Sequence, residues 1–256
     1  MMDRVGAPEQ GFEPAAFEQL ASVEEGSFWF RSRNRLISWA LSHYFPAARS
    51  LLDVGCGTGY VLAGLRESMP ELRLVGGELY PEALEIAQRR LPGVELMQLD
   101  ARELPFEAEF DAAGAFDVIE HIDQDQAALD SIARAVRPGG GVLLTVPQHR
   151  WLWSANDEYG HHRRRYRRGE LVAKARAAGL DVLRTTSFVS LLLPAMFVSR
   201  LRQRGPIESF DPMTEYRCSP GLNALLERVL GLELALIRRG VSLPAGGTLL
   251  VVARRR

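Results

Sequence analysis

A chain of 256 residues with 46% hydrophobic and 25% charged positions has the make-up of an ordinary globular protein, one large domain or two small ones. Its net charge of -1 gives the molecule no overall attraction to nucleic acid, so any basic surface is local. Two distant cysteines, Cys56 and Cys218, make neither a disulfide framework nor a zinc site, and no run of about 18 apolar residues suggests a spanning helix.

The N-terminal stretch lacks the apolar core of a signal peptide, and the expected compartment is the cytoplasm. Residues 1–15 read as a loose tail. From Phe17 to Phe45 the pattern is helical, with Phe30, Ile37, Leu41 and Tyr44 near one face and Pro46 as the stop. Strands and helices then alternate. "SLLDVG" is a short buried strand and "YVLAGLRESM" a helix; "RLVGGEL" is a second strand, and "PEALEIAQRRL" a helix with Pro81 in its first turn. "VELMQLD" and "FDAAGAFDVIEHI" supply the third and fourth strands, and "DQDQAALDSIARAV" a helix with acids at its start. After the turn "RPGG", "GGVLLTVP" is a fifth strand; "RGELVAKARAAGL" is a helix stopped by Gly179, "DVLRTTSF" a sixth strand and "GTLLVVARR" a terminal one. Such alternation implies a mainly parallel sheet with helices on both faces and a ligand site at the carboxyl ends of the strands.

That rule gathers Asp53–Gly59, Glu78, Asp100 and the region after Phe116 at one edge. The turn "DVGCGTG" reads G-x-G-x-G, with Tyr60 where a dinucleotide fingerprint has its third glycine, and no lysine follows as in a P-loop. Asp53 beside that turn repels phosphate and suits a cation. Glu78 is placed to accept ribose hydroxyls, and Asp100 to accept from an exocyclic amine. A ligand with a cationic amino-acid part, a ribose and an adenine meets these acids in order, which describes S-adenosylmethionine.

With "LLDVGCGTG", "VGGELYPEAL", "LMQLDARELPF", "FDVIEHI" and "ARAVRPGGGVLLTVP" in order over about Leu51 to Pro147, the chain resembles the class I S-adenosylmethionine-dependent methyltransferases. The nearest subgroup is the small-molecule methylases related to ubiquinone biosynthesis, in which an aromatic–basic helix like "FWFRSRNRLI" recurs. The resemblance implies a Rossmann-like, doubly wound α/β fold: a seven-stranded, mostly parallel sheet with an antiparallel last strand. The expected organisation is a tail and capping helix over 1–45, the cofactor-binding core over 46–188, a helical lid over 189–246 and the last strand over 247–256. By the same resemblance Asp53, Gly55, Cys56, Gly57 and Gly59 surround the methionine part. Glu78 holds the ribose, Leu79 packs on the adenine, Asp100 with Ala101 meets its amino edge, and Phe116 faces the sulfonium.

Glu120 and His121, just after the fourth strand, and His149, after the fifth, are the candidates for removing a substrate proton. "DEYGHHRRRY" resembles a substrate-loop motif of this methylase group. Trp151, Tyr159, His161, His162, Arg163, Arg164 and Tyr166 are the expected acceptor contacts, the arginines as an anion site. No metal is expected. "SFVSLLLPAMFVSRLRQR" reads as a lid helix interrupted by Pro194, or as a peripheral contact with a membrane surface. The expectation is methyl transfer to oxygen or nitrogen of a small-molecule or lipid-linked, anionic acceptor, with no nucleic acid partner. The alternatives are an RNA or protein methyltransferase, or a module that binds S-adenosylmethionine without catalysis.

Overall fold

A computed structural model describes residues 14–202 and 217–256. The expected tail thus lies outside the described residues except for its last two positions, as do residues 203–216 of the expected lid.

The N-terminal helical run is two helices, α1 (Pro14–Glu24) and α2 (Phe28–Tyr44). The single run expected from Phe17 to Phe45 is broken at residues 25–27. Gly26 is a weak helix former, and the Ser27 hydroxyl accepts from the Trp29 N–H at 3.3 Å, capping α2. The core follows as β1 (Ser50–Val54), α3 (Tyr60–Ser68), β2 (Arg73–Glu78), α4 (Pro81–Arg90), β3 (Glu95–Gln98), β4 (Phe110–Phe116), α5 (Asp125–Ala135), β5 (Val136–Pro147), α6 (Ala155–Tyr159), α7 (Arg168–Ala177) and β6 (Leu180–Phe188). Two further helices, α8 (Leu193–Arg202) and α9 (Pro220–Arg238), precede β7 (Thr248–Arg255). The expected turn "RPGG" is instead the irregular start of β5. Its pairing with β4 shifts register between Phe110 and Ala112, and Gly139 adopts φ 81°.

The seven strands run in the order β3-β2-β1-β4-β5-β7-β6, all parallel except β7, which lies antiparallel between β5 and β6. Successive strand residues face opposite layers. Leu51, Leu74, Leu143 and Leu250 pack under α2, α3 and α9, whereas Leu52, Val75, Leu144 and Val251 pack under α5 and α7. Both faces being covered, the strands carry unbroken apolar runs. From β1 the chain goes to β2 on one side and reaches β4 on the other, so a crevice opens above β1 where strand order reverses.

The late helices close over this crevice and dock on the early ones. Glu227 of α9 pairs with Arg31 and Arg35 of α2, each at 2.6 Å, and the Asn223 side chain accepts from the Phe28 N–H at 2.8 Å. Buried Glu233 accepts from the N–H groups of Ser190 and Leu191 at 3.0 and 2.9 Å, fixing the entry to α8. Pro194 does not interrupt a helix; it stands in the first turn of α8, where its missing N–H costs nothing.

Candidate active site

A cavity of about 980 Å3 lies above the carboxyl ends of β1, β2 and β4, roofed by α1, α2, α8 and the start of α9. Asp53, Gly55, Cys56, Gly57, Glu78, Leu79, Asp100, Ala101 and Phe116 all line it.

Its floor is the turn after β1. Gly57 has φ 53° and its absent Cβ would meet nothing within 4 Å, so the bare backbone is open to a ligand. Its N–H donates to Glu78 Oε2 at 2.8 Å, while Glu78 Oε1 accepts from the Leu79 and Tyr80 N–H groups at 2.7 and 3.2 Å. Burial pushes the Glu78 carboxyl up, and these three N–H groups oppose the rise. Gly59 does not line the cavity. With φ 76°, it starts α3 against α4, where a Cβ would stand 2.8 Å from Leu91, so it is a packing glycine.

Asp53 is 1% exposed and both its carboxylate oxygens are buried without a hydrogen-bond partner. Burial pushes its carboxyl up to about 8, Glu78 adding to the rise and Arg33 opposing it. An unpaired buried acid of this kind is completed by a cation. Asp100 lines the cavity with its carboxylate engaged by the Arg102 N–H and guanidinium, which hold it below the usual range, so an adenine amine must share it.

Much of the roof comes from residues outside the expected contacts. Trp29, Phe30 and Arg33 of α2 face the cavity, with the Arg33 guanidinium 4.6 Å from the Trp29 ring centroid. Arg33 pairs with Asp117, which follows β4 in a left-handed conformation at φ 59°. The recurring aromatic–basic helix was the signal for these residues. Glu24 of α1 accepts from the Thr58 hydroxyl and from Arg90, both at 2.6 Å, clamping the roof to the glycine turn.

The proposed catalytic residues separate. Glu120 is fully buried on the cavity wall with both oxygens unpartnered; burial and the nearby Asp117 push its carboxyl well up, toward an acid rather than a base. His121 also lines the wall, but burial and His162 push its imidazole down to about 3, and the carbonyls of Gly160 and Asp117 face its ring. His149 is outside the cavity: its N–H donates to the Tyr166 carbonyl, and its ring stacks on Trp151 at 5.3 Å.

The segment after β5 likewise divides. Tyr159, His161, His162 and Arg163 line the cavity. Trp151 does not; it is 54% exposed and meets Phe197 of α8 edge-on at 5.9 Å. Arg164 is spent on Asp125 at 2.8 Å, and the buried Tyr166 hydroxyl donates to the same carboxylate at 2.7 Å. Arg165 grips Asp157 through Nε and Nη2 at 2.7 and 2.9 Å. The basic run is thus mainly a strap over α5 and α6 that brings two arginines to the cavity: Arg165, spent on Asp157, and Arg163, which faces Asp123 at 3.5 Å. Glu120, His121 and His162 each offer a ligand atom within 4.8 Å of the others, the one such group among the described residues; the two carbonyls on His121 compete with a metal for its ring.

Residues 51–140 match the family described as "Methyltransferase domain". A probable S-adenosylmethionine-dependent methyltransferase of Mycolicibacterium smegmatis is 30% identical over 167 residues, 64% of this chain and 63% of that protein. Trans-aconitate 2-methyltransferase of Azoarcus sp. is 34% identical over 102 residues, 40% of each chain. The matched stretch therefore spans less than two thirds of these relatives' length. Among solved structures, phosphoethanolamine N-methyltransferase 2 of Haemonchus contortus in complex with S-adenosyl-L-methionine has a TM-score of 0.58 at 20% identity, over 87% of this chain and 52% of that one. A S-adenosylmethionine-dependent methyltransferase from Thermotoga maritima has a TM-score of 0.57 at 17% identity, over 94% and 95% of the two chains, and shares the fold. The matches and the shared fold support identifying the chain as a class I S-adenosylmethionine-dependent methyltransferase. Its cofactor is S-adenosylmethionine, and the unpaired Asp53 and open backbone at Gly57 fit such a cationic ligand.

Proposed function

We propose that this chain transfers a methyl group to oxygen or nitrogen of a small-molecule or lipid-linked acceptor. The observation that carries this reading is the size and lining of the cavity. Its acidic floor lies at the glycine turn, and it continues past Phe116 under Trp29, Phe30, Leu192, Met196 and Leu226. At about 980 Å3 it sits at the upper end of small-molecule sites, roughly 300–1,000 Å3, with space for an acceptor beside the cofactor. A module that only binds cofactor has no use for that further space.

S-adenosylmethionine supplies, when bound, a methyl group already activated on a positively charged sulfur. The residues that would hold it are Asp53 and the turn around Gly57 at the amino-acid part, Glu78 at the ribose, and Leu79, Asp100 and Ala101 at the base. The roof from α2 and α8 excludes water and aligns the acceptor, and positioning of this kind reaches effective molarities of about 10⁵–10⁸ M.

Isothermal titration with S-adenosylmethionine tests the cofactor site. Labelled-methyl transfer to cell extract, fractionated into small molecules, lipids, RNA and protein, tests the acceptor class. Label confined to RNA or protein, or no label despite tight binding, would reject the reading. The RNA arm matters because one relative, 32% identical over 135 residues, is a tRNA (carboxymethyluridine(34)-5-O)-methyltransferase of Arabidopsis thaliana.

A further inference from the structure

We propose that the outer face of α8 and α9 is a docking surface for an anionic lipid bilayer. Docking there presents the mouth of the cavity to the membrane. Its purpose therefore rests on the reading of a lipid-linked acceptor above, although the binding itself does not.

α9 is apolar on two sides. Leu230, Leu234 and Ile237 are buried in the core with Phe188. Leu222, Leu225, Leu232 and Leu236 are spaced to share another face, and they are between 37% and 65% exposed. A helix that packs on a core by one stripe ordinarily turns polar groups outward. Here both acids of α9 are spent inward: Glu227 pairs with Arg31 and Arg35, and buried Glu233 accepts from the N–H groups of Ser190 and Leu191. The outward charges are the exposed Arg228, Arg238 and Arg239, and no ion pair among the described residues engages them.

α8 extends the same surface. It contains no acid, and Phe197 and Val198 are exposed on it, as is Leu191 just before it. Exposed Trp151, whose ring meets Phe197, follows exposed Arg150. Leucine and aromatic side chains together with arginines, and no outward acid on either helix, suit an element lying in the plane of an interface with anionic head groups. No helix among the described residues is long and apolar enough to cross a membrane.

The surface leads to the cavity. Leu222 is exposed yet also lines it, and Leu192 and Met196 turn into it while Phe197 and Val198 turn out. One side of α8 thus roofs the acceptor space and the other meets the bilayer. An apolar chain leaving the bilayer has its shortest entry between α8 and the start of α9. The leucine spacing on α9 would also suit a helix of a second copy. Two copies face to face would set arginines against arginines with no outward acid on these helices to pair them, whereas anionic head groups complement them.

The test is co-sedimentation of the full chain with vesicles of phosphatidylcholine mixed with phosphatidylglycerol, beside vesicles of phosphatidylcholine alone. Partition should be about tenfold or more stronger on the anionic vesicles and should weaken as salt is raised. Leu225→Gln with Leu232→Gln, neither of which lines the cavity, should lose about tenfold or more. Arg228→Gln with Arg239→Gln should lose about tenfold on the anionic vesicles only. Unchanged S-adenosylmethionine affinity shows that the variants are folded. No binding to anionic vesicles, or unchanged partition in folded variants, overturns the proposal. So does a dimer in sedimentation equilibrium that the leucine variant dissociates, which would assign the face to a second copy. Should the leucine variant fail to fold, Trp151 reports instead: brominated lipid should quench wild-type fluorescence more than that of Trp151→Phe, and equal quenching overturns the docking. Failure to label any extract fraction sinks the proposed function and leaves vesicle binding standing, whereas methyl transfer without vesicle binding sinks only the docking.

Discussion

Arg33 of α2 and Asp117, the residue after β4, form an ion pair in the wall of the cavity although 84 positions separate them. The pair locks the roof to the floor: Arg33 lies over Trp29, and Asp117 also accepts from the Thr145 hydroxyl at 3.3 Å. Arg33 further offsets part of the burial that raises Asp53. Arg33→Met should cost about 3 kcal/mol, because it strands a largely buried carboxylate. Adding Asp117→Asn should recover much of that loss. Urea unfolding of the singles and the double measures the coupling, and an additive cycle would show that the pair is not what fastens the helix.

Asp53→Asn should abolish cofactor binding and stabilise the free protein in alkali. The carboxyl moves from an ordinary 3.8 to about 8 on folding. The folded chain thus keeps a proton that the unfolded chain releases. The stability from this proton is complete below about pH 4 and is lost as the pH climbs through about 8. Asparagine has no such loss, so the variant should melt higher than wild type at pH 9, with a smaller difference at pH 5. Equal pH dependence of the two melting curves would contradict the shift.

The same shift makes cofactor binding pH-dependent. If the cation requires ionised Asp53, affinity should rise between pH 6 and 8, by up to about tenfold per unit, with release of one proton. Calorimetry in two buffers of different ionisation enthalpy reads that proton directly. A flat profile would place the cation elsewhere.

Gly57→Ala and Gly59→Ala should fail differently. Both put alanine at positive φ, about 1–3 kcal/mol of strain. The Gly59 variant also drives a Cβ to 2.8 Å from Leu91, so it should be the less stable protein. The Gly57 variant projects its methyl into open cavity and should lose more cofactor affinity. Thermal melts beside calorimetry separate the two, and a reversed order would exchange the roles assigned to these glycines.

Tyr166→Phe should cost about 1.5–3 kcal/mol by removing the hydroxyl donated to charged Asp125, and should leave cofactor affinity unchanged. A fall in affinity at unchanged stability would return Tyr166 to the site.

The core was legible because its signals are local. An apolar run ending in Asp53, glycines that turn the chain, and acids at the ends of β2 and β3 each report the backbone they occupy. The segment "HHRRRY" was not legible in the same way. Its residue types announce charge, but whether an arginine meets a ligand or a neighbouring carboxylate depends on what α5 and α6 bring beside it. Arg164 and Arg165 found Asp125 and Asp157, so the expected anion site is largely a strap. His149 and Trp151 left the site for a similar reason, the left-handed turn at His149 and the bridge between Gln148 and Tyr166 placing them on the outer side.

The amino-acid sequence by itself determined the alternating layers, the turn that receives the cofactor and the acids around it, since periodicity and backbone freedom are properties of neighbouring residues. Tertiary structure alone decided which side chains wall the acceptor space: Arg33 against Asp117, α9 against α2, and His162 oriented by Asp157. Those pairings depend on how helices dock across the strand edge, and a side chain's chemistry there is set by the partner that docking delivers.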